Sequence, residues 1–106
     1  MADELKVNLI LTTGGTGFSV RDITPEATNA VIQRQVPGIP EAIRYNSLQI
    51  TSRAMLSRAA CGLRGQSLIL NLPGSPKAVR ESLEFAIEPI RHGLEILLGS
   101  AGECAR

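Results

Sequence analysis

The sequence predicts an α/β fold, a three-layer α/β/α sandwich on a mostly parallel sheet, and three observations carry that prediction. An apolar run from Val7 to Leu11 passes through Gly14-Gly15-Thr16-Gly17 into helix-start chemistry at Thr24-Pro25. The same arrangement recurs where Ser67 to Leu72 runs into Pro73-Gly74-Ser75-Pro76. Composition is the third: 43% of residues are hydrophobic but only 3% aromatic, the aliphatic balance of strands covered by helices. The 106 residues read as a single domain, 1–106, long enough to bury a core.

In chain order, Val7 to Leu11 is rich in β-branched and aliphatic residues with only Asn8 interrupting, which suits a strand buried on both faces. Thr24 is the expected cap of a helix with Pro25 at its first position, running to about Gln35 with Ala27, Ala30 and Val31 on its inner face. Val36-Pro37-Gly38-Ile39-Pro40 ends it, and Pro40 opens a second helix to about Leu48 that carries Ile43 and Leu48. Thr51 caps a short helix that Ser57 closes. Ala59 to Leu63 is expected to be extended, Arg64-Gly65-Gln66 a turn, and Ser67 to Leu72 a strand. Ser75 caps the last helix, whose apolar stripe is Val79, Leu83, Ala86, Ile87, Ile90, Leu94, Leu97 and Leu98. Pro89 is expected to kink or divide that helix near Glu88, and Gly99 to close it.

Charge and composition exclude several functions. Eleven basic residues against ten acidic ones give a net charge of +1, so no global field recruits nucleic acid or an anionic membrane. Three aromatic residues offer no stacking platform for single strands. No apolar run approaches the ~20 residues of a membrane span, and the expected location is the cytoplasm. Cys61 reads as a small buried hydrophobe, Cys104 as part of a frayed tail, and their spacing fits no metal site. His92 lies in a helical pattern with no nucleophile nearby.

The chemistry concentrates at the two glycine stretches. Three glycines in four positions allow positive φ and close approach of backbone amides to a ligand, and a helix start facing the same crevice favours an anion. Asp22 stands at the mouth, placed to hold a hydrated cation. Neither G-x-x-x-x-G-K-S/T nor G-x-G-x-x-G occurs, so the residues alone leave two readings open, a phosphate cradle and a plain strand-to-helix turn. If the two strands are parallel, both glycine loops lie at the carboxyl edge of one sheet and form two walls of one crevice.

Gly14-Gly15-Thr16-Gly17-Phe18-x-x-Arg21-Asp22-Ile23-Thr24-Pro25-Glu26-Ala27-Thr28 closely resembles the signature of the MogA/MoaB family of molybdopterin adenylyltransferases, which includes the gephyrin G domain. Ala54-Met55-Leu56-Ser57-Arg58 is similar to the family's second signature, and Asn71-x-Pro73-Gly74-Ser75-Pro76 to its third. The resemblance implies transfer of AMP from Mg-ATP to molybdopterin with release of pyrophosphate, in molybdenum cofactor synthesis. It implies phosphate binding by Gly14, Gly15, Thr16, Gly17, Pro73, Gly74 and Ser75. Asp22 and Glu26 become the catalytic candidates, with Mg2+ on Asp22, and Ser57 and Arg58 the molybdopterin-binding candidates. A homotrimer, exchange with a downstream molybdenum-insertion protein and no tightly bound prosthetic group are also implied. Because the resemblance starts near Leu9, roughly the first third of the family domain, including an acidic segment used in adenylation, is expected to have no counterpart in this chain. A non-catalytic molybdopterin-binding or oligomeric scaffold module is the alternative.

Overall fold

A computed structural model describes residues 7–99; the tail expected around Cys104 lies outside them. The elements are β1 (Leu9–Thr13), α1 (Thr24–Val31), β2 (Arg34–Gln35), α2 (Gly38–Leu48), a 3-10 turn (Ser52–Leu56), β3 (Cys61–Arg64), β4 (Ser67–Leu72) and α3 (Pro76–Leu97). Among the described residues the strands form one sheet in the order β1-β4-β3-β2. β1 and β4 are parallel, with Leu9 opposite Leu68 and Thr13 opposite Leu72, whereas β4–β3 and β3–β2 are antiparallel. The sheet is therefore mixed, not mostly parallel. Arg64 pairs with Ser67 across Gly65-Gln66, and a two-residue connection joins only antiparallel strands.

Helices cover both faces, as expected of three layers. On one face Leu68, Leu70, Leu72 and Cys61 pack with Ile43 of α2 and Ala86 and Ile90 of α3. Burial of the Cys61 thiol there pushes its pKa up to about 12. On the opposite face lie Ile69, Asn71 and Gly62, since partners along the ladder share a side. α1 covers this second face through Thr28, whose hydroxyl accepts from Asn71 Nδ2 at 2.9 Å.

Five expectations about elements are corrected. α1 ends at Val31 rather than Gln35, because Ile32 turns extended and the chain pairs with β3 through Gln33 N–H to Leu63 O, 2.8 Å, and Val36 N–H to Cys61 O, 2.9 Å. Its inner face is Pro25 and Thr28, while Ala27, Ala30 and Val31 are exposed. Thr24 does not cap α1: it is the first helical residue, and its amide is tied to Gly15 O at 3.1 Å. Pro89 does not divide α3, which continues from Pro76 to Leu97. The carbonyl of Phe85 loses its helical partner there, but Phe85 and Pro89 are both exposed, so water can satisfy it. β1 also differs from a strand buried on both faces, being a half-exposed edge with Leu11 37% accessible.

Candidate functional site

The parallel β1–β4 pair sets the two glycine loops side by side. Gly14 N–H donates to Leu72 O at 3.0 Å, and a Cβ on Gly74 would stand 3.4 Å from Gly14 Cα. Gly15 has φ +73°, and a Cβ there would lie 2.2 Å from Thr24 Oγ1, so this turn admits only glycine. Among the described residues, the amides of Gly15, Thr16 and Gly17 have no hydrogen-bond partner. On the second wall Ser75 caps α3, its hydroxyl accepting from Ala78 N–H at 3.4 Å, with Pro76 first in the helix as expected. The site thus combines partnerless amides with the positive end of a 22-residue helix, an arrangement suited to phosphate.

Asp22 closes the turn that follows. Its Oδ2 accepts from Ser19 N–H at 2.9 Å and would lie 2.9 Å from a Cβ on Gly17. Among the described residues no three of His, Cys, Asp and Glu come together. A lone carboxylate suits a cation that arrives already bound to phosphates better than a resident ion. Glu26, one helical turn along, is engaged by Arg58: Nη1 donates to Glu26 Oε2 at 2.6 Å, and this bond, helped by a backbone amide and the Arg58 charge, holds the Glu26 carboxyl below the usual range.

Beside the crevice lies a cavity of about 290 Å3. Thr16, Gly17, Ser57 and Pro73 line it, so it joins both glycine loops to the second signature; Asp22, Glu26 and Arg58 stand outside its walls. Ser57 ends the 3-10 turn capped by Thr51, whose hydroxyl accepts from Arg53 N–H at 3.2 Å. Ser57 Oγ accepts from Ala59 N–H at 3.3 Å, and its carbonyl accepts from Arg44 at 3.3 Å.

α2 supplies walls that the sequence reading missed, Pro40, Ile43, Arg44 and Ser47. Their spacing of three, one and three was the available signal, since it puts all four on one helical face. Arg53 also lines it, whereas Arg64 lies elsewhere and donates to Val31 O at the end of α1, 2.8 Å. The cavity is largely apolar, with two arginines and no carboxylate on its walls. Such walls suit an organic body carrying negative charge.

The model of the family described as a probable molybdopterin binding domain matches residues 1–92 of this chain. The chain belongs to that family. A Helicobacter pylori protein named molybdopterin adenylyltransferase is 48% identical over 100 residues, which are 94% of this chain and 57% of that protein. The protein of that name in Escherichia coli is 51% identical over 79% of this chain and 43% of its own length. Among solved structures, the Thermus molybdopterin biosynthesis enzyme MoaB superposes with a TM-score of 0.85 at 51% identity, over 92% of this chain and 62% of that one. The molybdopterin biosynthesis Mog protein of Mycobacterium ulcerans gives 0.86 at 46% identity, over 91% and 63%. The chain spans about half the length of the curated relatives it matches. Both glycine loops and every wall of the cavity fall inside the stretch matched to the probable molybdopterin binding domain.

Proposed function

We propose that this domain binds molybdopterin in the cavity and ATP across the glycine loops, and takes part in transfer of AMP from Mg-ATP to molybdopterin. The observation that carries the reading is the junction itself: an apolar cavity with Arg44 and Arg53 on its walls opens at Thr16 and Gly17 onto partnerless amides. The pterin body suits the apolar walls, and its terminal phosphate would reach the crevice where the nucleotide phosphates lie. In the transfer, an oxygen of that phosphate bonds to the ATP α-phosphorus while the bond from that phosphorus to the β-bridging oxygen breaks, and pyrophosphate leaves with the electron pair.

Such a reaction needs positioning and charge neutralisation more than covalent help. The amides of Gly15, Thr16 and Gly17 and the Ser75 end of α3 would hold phosphate oxygens, Gly14 and Gly74 would permit close approach, and Ser57 would contact the pterin. Mg2+ carried by the nucleotide supplies neutralisation of the phosphate charge when bound. Asp22 has one carboxylate oxygen outside the Ser19 bond with which to hold it or its water.

A second reading has its own support: with a single carboxylate at the mouth, this stretch would hold molybdopterin without turnover. In either reading the domain would work in the cytoplasm as part of a homotrimer, and in the first it would pass its product to a molybdenum-insertion protein. The exposed Phe18, Val20, Tyr45 and Met55 support an associating surface. Pyrophosphate release from Mg-ATP on adding molybdopterin tests the first reading. Turnover is expected, falling about a hundredfold in Asp22→Ala. Tight molybdopterin binding without pyrophosphate release selects the second reading, and loss of that binding in Ser57→Ala locates it.

A further inference from the structure

The glycine loop is held from outside by one side chain. The Arg58 amide donates to Thr16 O at 2.8 Å, Nε to Gly17 O at 2.7 Å and Nη2 to Asp22 O at 2.5 Å, besides the Nη1 bond to Glu26. All three guanidinium nitrogens donate within residues 17–26, which lie 32 to 41 positions away in sequence. Two further carbonyls of the loop are engaged internally, Gly15 O by Thr24 N–H at 3.1 Å and Ser19 O by Asp22 N–H at 2.9 Å. Acceptors at 15, 16, 17, 19 and 22 are thus turned to protein donors, three of them to Arg58, while the donors at 15, 16 and 17 stay partnerless. An oxyanion in the crevice meets amides rather than carbonyl oxygens because those carbonyls are held elsewhere.

We infer that Arg58 is a positioning residue, a latch anchored on Glu26 that fixes the carbonyls of the glycine loop and so presents its amides to phosphate, without itself touching the ligand. The inference rests on the proposed nucleotide site, and it separates the geometry of the Arg58 fork from its charge. Lysine keeps the charge but cannot donate in three fixed directions.

The test compares the full chain with Arg58→Lys, Arg58→Gln and the milder Glu26→Gln, reading amide exchange at Ser19, Asp22 and Thr24 and the Kd for Mg-ATP. The first two of these amides close the local turn and the third ties the loop to α1, and none is bonded to Arg58. Both Arg58 variants are expected to exchange about tenfold faster at these positions, with β4 amides unchanged, and to bind Mg-ATP about tenfold more weakly. Glu26→Gln is expected to do the same to a smaller extent, and it carries the test if the Arg58 variants fail to fold. Unchanged exchange in all three variants overturns the latch. So does wild-type affinity in Arg58→Lys, which would make the residue a direct charge contact. Failure of the nucleotide reading shows separately, as a wild-type chain that does not bind Mg-ATP, and the exchange data then still decide the latch.

Discussion

Asn71 shows how much of this site rests on single buried residues. Its Oδ1 accepts from Ala60 N–H at 3.0 Å while its Nδ2 reaches Thr12 and Thr28, both at 2.9 Å, so one amide ties β1, β4 and α1 to the chain entering β3. Asn71→Ala is expected to lower stability by about 2–4 kcal/mol in chemical denaturation, because it leaves a buried amide and two hydroxyls without partners. Gly62 is under a different constraint: a Cβ there would meet Arg34 O at 2.7 Å and Ile32 Cδ1 at 2.5 Å, so Gly62→Ala should cost about 1–3 kcal/mol. The Cys61 pKa of about 12 predicts that, in a Cys104→Ser chain, thiol reagents at pH 8 react only on unfolding. The sign follows from the neutral thiol being favoured in the fold: above the unfolded value near 9 the unfolded chain ionises first, and stability falls as pH rises towards 12. Cys61 was legible from its small, apolar neighbours. The role of Thr28 was not, because an apolar periodicity passes over a buried hydroxyl whose partner lies 43 residues away.

At the scale of elements, the strand-glycine-helix units were the most legible part of the chain, since turn, cap and strand signals agree within a few residues. β4 and α3 begin where Ser67 and Pro76 indicate. The α1–β2 boundary was hidden, because Ile32 to Val36 leave the helix to pair with β3, a tertiary contact that propensity does not report. The hairpin was hidden for another reason: Arg64-Gly65-Gln66 was recognised as a turn, but its shortness, which dictates antiparallel pairing, went unused. α3 absorbs Pro89 because its exposed side tolerates a hydrated carbonyl. Pro89→Ala is therefore expected to stabilise the domain by about 1–2 kcal/mol, the regained helix bond exceeding the entropy that proline withholds from the unfolded chain. Thermal unfolding measures this, and a lowered Tm would show that Pro89 packs in a way its exposure does not indicate.

Over the whole molecule, the mixed sheet places its parallel β1–β4 pair, and hence both glycine loops, at one side, where β1 is an edge among the described residues. Leu11 on that edge and Phe18, Val20 and Ile23 in the following loop are exposed apolar residues. Their exposure predicts that isolated chains self-associate, with sedimentation mass rising above the monomer as concentration rises. Reversible cooperative unfolding of a strict monomer above ordinary mesophile temperatures would contradict that. The crevice was legible as a pair of loops because each carries its own signature. The cavity beside it was legible only in part, since the α2 wall and the 3-10 turn meet through folding alone. A residue-resolved NMR titration of the chain with Mg-ATP and then molybdopterin tests the junction of crevice and cavity most directly. The nucleotide should move the amides of Gly15, Thr16, Gly17 and Gly74, and molybdopterin those of Arg44, Ala54 and Ser57; saturating ligand that leaves both sets unmoved would contradict it.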